Sequence, residues 1–383
     1  MSIKQYFRIR HLYHLIKNLL LDKQVIVKHK QYNEKTLLLI KTEAIGDYIL
    51  FRNFIEQVKK SERFAGYRLI LVGNELWKEM ALAYDSPYVD AFIWINRNAF
   101  VKDFNYRKQL LKQVNDLQVE FAIQANYSRE FLIGDSLVNA SQARYRIGSK
   151  GDRLNEWTIF KKLADEWFTS LLSVNDEVLF EFDKNRVFFE AILGAEINMQ
   201  LPIIPVTNKQ SVNEIICFPG AGEAMKQWPI QKFATLLGQL YAVHQLPIRI
   251  CGSGKEYELG EQLKLALPEA VVLNDCGKTS LSELCRAIAS AKLLITNDSS
   301  AFHIAAAVST PVLCVLMGRH YGRFAPYPKA ANWVQTIYPD AFIAQLNNKQ
   351  LQANATDFNA VVSIDEITVD AVFEQANTML QQV

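Results

Sequence analysis

The feature that most constrains this chain is a rhythm that runs twice along it: short apolar runs alternating with longer stretches of helical periodicity. In the first half the runs fall at 37–41 (LLLIK), 69–72 (LILV), 92–95 (FIWI) and 121–125 (FAIQA), with helical stretches such as 47–60 and 104–116 between them. In the second half they fall at 215–218 (IICF), 248–251 (IRIC), 270–273 (AVVL), 293–296 (LLIT) and 312–316 (VLCVL). Helical patterns fill 229–244, 256–267, 281–290 and 299–308. Short apolar runs bounded by turn residues read as strands, and strands alternating with helices predict parallel sheets covered on both faces. In such doubly wound α/β domains, ligands sit at the carboxyl ends of the strands. The loops that follow the predicted strands are therefore where chemistry is sought.

With 383 residues, the chain exceeds the roughly 250–300 at which a single core stops growing. Two domains are expected, 1–205 and 206–364, both Rossmann-like and facing each other across a cleft. The stretch LPIIPVTNKQS, with Pro202 and Pro205, reads as the linker and hinge between them. A terminal helix over 365–383 is expected to pack back on the N-terminal domain.

Half of the residues are hydrophobic and 21% are charged, the composition of ordered globular protein. The net charge of +2, from 42 basic and 40 acidic residues, excludes a general nucleic-acid coat. No apolar run reaches the roughly 18 residues of a spanning helix, and charges and histidines interrupt the N-terminal apolar stretch, unlike a secretory signal. Cys217, Cys251, Cys276, Cys285 and Cys314 form no CxxC pair and predict buried thiols in a reducing, cytosolic compartment.

Residues 1–35 depart from the average. They hold eight basic residues (Lys4, Arg8, Arg10, Lys17, Lys23, Lys28, Lys30, Lys35) against Asp22 and Glu34, a local charge of +6. Ile3, Phe7, Ile9, Leu12, Tyr13, Ile16, Leu19 and Leu20 are spaced as a helical apolar stripe. A basic amphipathic helix fits two places: an anionic membrane surface, through residues 1–30, or the body of the protein.

Four loops after predicted strands carry candidate chemistry. After LLLIK come Gly46 and Asp47, the latter at a helix start. There the positive helix end favours the ionised carboxylate, either as a general base or as an ordinary N-cap. After IICF come Gly220, Ala221 and Gly222, whose backbone can approach an anion, and Lys226, a point charge for phosphate. After IRIC the run Gly252-Ser253-Gly254-Lys255-Glu256 resembles a P-loop but fails it. Arg249 stands where the first glycine is needed and Glu256 where Ser or Thr is needed, so an ATPase is excluded. Glu256 remains either a ribose acceptor or a helix-start acid. After LLIT come Asp298, Ser299, Ser300 and His303, two hydroxyls and an imidazole at a helix start that suits a diphosphate. Lys278 and Thr279 precede a capping box, Ser280 to Glu283, at the same sheet end. Arg319, His320 and Arg323 lie in an elaborate loop, where they contact a substrate or, for Arg323, brace the loop through a carboxylate.

Taken together, IKTEAIGDYIL, CFPGAGEAMKQWP and GKTSLSELCRAIASAKLLITNDSSAFHIAAAVSTPV resemble glycosyltransferase family 9, the ADP-heptose:lipopolysaccharide heptosyltransferase family, over about residues 36–325. The resemblance implies a GT-B fold, an acceptor-side N-terminal domain and a nucleotide-sugar-binding C-terminal domain. It implies inverting, metal-independent transfer of a sugar, heptose from ADP-heptose, to a lipopolysaccharide core or similar lipid-linked glycan. Asp47 would then be the base. Lys226, Asp298, Ser299, Ser300 and His303 would hold donor phosphate, and Gly220, Ala221, Gly222, Glu256, Lys278 and Thr279 the nucleotide. The protein would act at the cytosolic face of the inner membrane, with no cofactor and no nucleic acid. Ser300 departs from the family's usual glycine, and the 318–328 loop is longer than that of well-known members. The alternatives are another nucleotide-sugar serving a capsule, glycolipid or protein acceptor, and a nucleotide-sugar epimerase or binding module of the same architecture.

Overall fold

In the computed structural model, residues 15–152, 158–174, 180–207, 210–347 and 362–382 are described. The chain divides into two compact units, one of residues 1–178 and 182–199, the other of 179–181 and 200–383. The second unit thus takes in the proline-rich segment expected as a linker: Ile204 is buried, and its amide donates to the carbonyl of Ala307 at 2.9 Å.

The N-terminal unit holds a six-stranded parallel sheet in the order β3-β2-β1-β4-β5-β6. The strands are β1 (Asn33–Lys41), β2 (Arg68–Asn74), β3 (Ala91–Ile95), β4 (Val119–Gln124), β5 (Tyr145–Ser149) and β6 (Ser170–Leu172). Leu37 to Ile40 of β1 are fully buried, as expected of a central strand covered on both faces. The helices include α1 (15–25), α2 (Ile45–Ile49), α3 (Asn53–Lys60), α4 (Lys78–Tyr84), α5 (Arg97–Lys102), α6 (Phe104–Asp116), α7 (Ser136–Ser141), α8 (Thr158–Asp165) and α9 (Glu181–Leu193). The single helix expected over 47–60 is two, α2 and α3, separated by a turn at Leu50–Arg52. β5 and β6, short and toward the edge of the sheet, lack the apolar run that marks the central strands.

The C-terminal unit repeats the plan. Its sheet runs β12-β11-β10-β7-β8-β9, all parallel. The strands are β7 (Ile215–Phe218), β8 (Ile248–Ile250), β9 (Val272–Asn274), β10 (Leu293–Asn297), β11 (Val312–Val315) and β12 (Val334–Ile337). The helices are α10 (Ile230–His244), α11 (Tyr257–Ala266), α12 (Leu281–Ser290), α13 (Ser300–Ala307), α14 (Asp340–Asn347) and α15 (Val369–Gln382). Numbered within each unit, both sheets follow the order 3-2-1-4-5-6, which opens a crevice where the strand order reverses. That point lies between β1 and β4 in one unit and between β7 and β10 in the other.

One expectation is corrected here, and one of two alternatives for the N-terminal helix is seen. The terminal helix belongs to the C-terminal unit. Val372, Ala376, Met379 and Leu380 of α15 join Phe233, Leu236 and Leu240 of α10 in its core, which offers this apolar face a partner close in space. The N-terminal helix, over its described part, packs on the N-terminal unit. Leu15 and Leu19 enter a cluster with Phe131, Leu132, Phe160 and Ala164, and Asp22 forms a buried pair with Arg107 at 2.6 Å. The remaining stripe residues, Ile3 to Tyr13, lie outside the described residues. All five cysteines are buried free thiols.

Candidate functional site

In the N-terminal unit, the switch point is built around the end of β1. Lys41 is buried; its Nζ donates to the Ala125 carbonyl at 2.9 Å and pairs with Glu43 at 2.5 Å. The loop that follows is clamped by its neighbours. Asn74 donates to the carbonyls of Thr42 and Glu43 (3.2 and 3.1 Å), the Trp77 indole donates to Glu43 O (3.1 Å), and Asn126 donates to the Thr42 hydroxyl (3.2 Å). α2 starts from this fixed loop, with Ala44 in the cap position. Asp47 is therefore not an N-cap. It is the third residue of the helix, half-buried in the first turn, where the helix end favours negative charge.

Sequence reasoning missed the groups beside it. Arg97 donates to Thr42 O at 3.0 Å and pairs with Glu130 at 2.6 Å, tying the loop before Asp47 to the end of β4. Burial pushes the Glu130 carboxyl up, Arg97 opposes, and the charge of Asp47 adds a further upward push. The two carboxylates thus lie within electrostatic reach. Neither Arg97 nor Glu130 sits in a motif, so spacing offered no signal.

In the C-terminal unit the loops after β7 and β10 meet at the switch point. Asn297, the last residue of β10, binds them together: its amide donates to Pro219 O at 2.6 Å, and its Oδ1 accepts from the Trp228 amide at 3.1 Å. The Trp228 indole is buried and donates to Ile367 O at 3.1 Å. The glycine turn is thereby fixed at both ends, and Lys226 lies within it. Its Nζ sits 2.7 Å from Oδ2 of Asp298 and 3.8 Å from Glu223. Both Lys226 and Asp298 were expected on phosphate. In the structure they meet each other, in a pair where the carboxylate can aim the lysine.

Ser299 is the N-cap of α13, with its hydroxyl 2.9 Å from that of Thr296 and no side-chain cap bond, and Ser300 opens the helix. Asp298, Ser299 and Ser300 are all half-exposed. His303, one turn in, is buried; its Nδ1 lies 2.8 Å from the Tyr327 hydroxyl. Burial lowers its pKa to about 4, with Asp298 raising and Lys226 lowering it further. It is a neutral imidazole, not the cation that diphosphate would favour most.

Glu256 closes a capping box with Ser253, whose amide donates to Oε2 at 2.6 Å. Its side chain packs where a Cβ on Gly220 would fall, 2.8 Å from Cγ, so Gly220 is required by close approach. Gly222 has open space around that position. Lys278 is exposed and donates to Asn274 O at 2.6 Å, while Thr279 lies beside the Ser280–Glu283 capping box, which forms as expected. Ala221 is half-exposed in the glycine turn.

In the 318–328 loop, Arg319 pairs with Glu223 at 2.9 Å. Arg323 resolves to the bracing role: its Nε donates to Glu181 at 2.7 Å, and the Glu181 amide donates back to Arg323 O at 2.8 Å. His320 takes a positive φ of 58°, and burial first, then the neighbouring Arg323, lowers its pKa to about 4.

Two doubly wound units with fixed polar turns at their switch points define the class: an α/β protein of GT-B type. Residues 197–350 match the model of glycosyltransferase family 9 (heptosyltransferase). Lipooligosaccharide heptosyltransferase 2 of Haemophilus influenzae is 36% identical over 113 residues, 28% of this chain and 31% of that one. Lipopolysaccharide heptosyltransferase 2 of Escherichia coli is 30% identical over 172 residues, 43% of this chain and 46% of that one. The matched stretches thus span less than half the length of these relatives. In fold, the solved ADP-heptose lipopolysaccharide heptosyltransferase II of Escherichia coli superposes with a TM-score of 0.64 at 18% identity, covering 91% of this chain and 99% of that one. Over residues 197–350 the chain is similar to glycosyltransferase family 9.

Proposed function

We propose that the protein is an inverting, metal-independent glycosyltransferase that moves heptose from ADP-heptose to a lipopolysaccharide core or similar lipid-linked glycan. The observation that carries this reading is the Lys226–Asp298 pair at the open start of α13. Cleaving a sugar–phosphate bond builds negative charge on the leaving diphosphate. Lys226 and the unpaired N–H groups of α13 answer that charge with fixed donors. Asp298 holds the lysine, and Ser299 and Ser300 supply hydroxyls. Where the Tyr327 hydroxyl donates to Nδ1 of His303, the ring proton sits on Nε2, a neutral donor for the same oxygens.

Asp47 is assigned as the base that takes the acceptor hydroxyl's proton while that oxygen attacks the anomeric carbon opposite the leaving group. The clamped loop before it and the half-buried setting support the assignment. The sugar and nucleotide follow the printed names of the relatives, which are heptosyltransferases of lipopolysaccharide and lipooligosaccharide. The lipid-linked acceptor places the protein at the cytosolic face of the inner membrane, with the basic segment 1–30 in contact with anionic lipid. Titration calorimetry with ADP, GDP and UDP tests the donor directly. Selective binding of ADP, weakened by Lys226→Ala, is expected; equal affinity for all three, or none for ADP, contradicts it.

A further inference from the structure

We infer that the membrane-facing surface of this protein is a two-helix platform, made of the outer faces of α1 and α8 and committed to an anionic bilayer. The inference deepens the membrane reading above but does not use residues 1–14. α1 and α8 share one small cluster, entered by Leu15 and Leu19 from the first helix and by Phe160 and Ala164 from the second. With those faces turned inward, each helix shows a second apolar row to solvent. Ile16 and Leu20 of α1 are 48% and 57% exposed; Ile159 and Leu163 of α8 are 69% and 39% exposed. Val27, just past α1, is exposed as well and is held in place by Asn115, which bonds both its amide and its carbonyl.

Charge selects the partner. The exposed charged residues of the two helices are Lys17, Lys23 and Lys162. Their acids are engaged by arginines: Asp22 is buried against Arg107, and Asp165 pairs with Arg129. Lys28 and Lys30 follow α1 on the same exposed segment, and one exposed acid, Glu166, follows α8. Large exposed apolar side chains on helices whose exposed charges are lysines suit the boundary between acyl chains and anionic headgroups, where burial and Coulomb attraction add. A nucleic acid would leave the apolar rows unused, and an acidic protein would need no such rows at both helices.

The test is cosedimentation of the full chain with phosphatidylcholine vesicles and with vesicles containing phosphatidylglycerol. The expected result is binding to the anionic vesicles alone, weakened by salt. A double variant of α8, Ile159→Glu with Leu163→Glu, should lower the partition coefficient by roughly tenfold or more, as should Ile16→Glu with Leu20→Glu in α1. All four side chains are exposed, so the variants should keep the wild-type circular dichroism and ADP affinity. Unchanged vesicle binding by the α8 variant overturns the platform and leaves the N-terminal segment as sole anchor. Equal binding to neutral vesicles overturns the charge selection. Self-association that the α8 variant abolishes, with no vesicle binding, assigns the face to a second copy instead. Transfer to a soluble acceptor is read in parallel, so a failed platform is distinguished from a failed enzymatic reading.

Discussion

Nζ of Lys226 lies 2.7 Å from Oδ2 of Asp298 across 72 positions of sequence, joining the loops after β7 and β10 at the point where the strand order reverses. Under the proposed function, the cation of this pair meets the ligand and the carboxylate aims it. Lys226→Ala removes a charge-assisted contact worth about 1.5–3 kcal/mol, so ADP affinity should fall roughly 10- to 100-fold. Asp298→Asn leaves the cation in place but less directed, and should weaken ADP several-fold, always less than Lys226→Ala. Calorimetry on both variants checks the order.

Arg323 and Glu181 are the second long-range pair, 142 positions apart and tied by both side chain and backbone. Glu181 is fully buried, and a buried acid stripped of its cation costs about 3–5 kcal/mol. Arg323→Ala should therefore lower the melting temperature markedly. Glu181→Gln, which removes the charge as well as the pairing, should be milder. Equal loss in the two variants, measured by calorimetric unfolding, would count against an electrostatic brace.

Gly277 adopts φ +72°, and a Cβ there would lie 2.7 Å from the backbone Cα of Gly254. Neither strain relaxes by moving a flexible side chain. Gly277→Ala should destabilise by about 1–3 kcal/mol and misplace the β8 and β9 loops, weakening ADP along with stability. A variant as stable as the wild type under urea contradicts this.

The buried His303 gives stability a pH dependence of known sign. Its pKa is lowered to about 4 in the fold, against about 6.5 in an unfolded chain. Between these values the unfolded chain binds the extra proton. The stabilisation is complete above about pH 6.5 and is lost as pH falls toward 4, amounting to about 3 kcal/mol. His303→Asn should flatten this limb of the stability curve, as measured by urea unfolding from pH 7 to 4.5.

The sequence rhythm located nine of the twelve strands of the two sheets, the inner ones because strands buried on both faces must be continuously apolar, and the edge strands β3 and β9 because they too carry apolar runs. β5, β6 and β12 escaped, being short and toward or at a sheet edge, where one flank needs no apolar run. Helices α10 to α13 stood within a residue or two of their observed limits, since Pro229, Ser280 and Ser299 mark starts that chemistry enforces. Which surface the terminal helix covers was illegible, because an apolar stripe states that a partner exists and not which one.

The site was legible as loops, not as contacts. Asp47, Lys226 and Ser299–Ser300 could be proposed because glycines and hydroxyls after a strand have a local reason to be there. The partners of Asp298 and Arg323, Lys226 and Glu181, became visible only as distances in the fold. Arg97 and Glu130, which fix the loop before Asp47, had no local signal at all. His303 read as a possible cation until burial fixed it neutral.

The account turns on Asp47 as the base of an inverting transfer from ADP-heptose, and product NMR with wild type and Asp47→Asn tests it most directly. The wild type should invert the configuration at the anomeric carbon of the transferred sugar. The variant should bind ADP as the wild type does yet turn over about 10²–10⁴-fold more slowly. Retention of configuration, or an Asp47→Asn enzyme of normal rate, would contradict the mechanism outright.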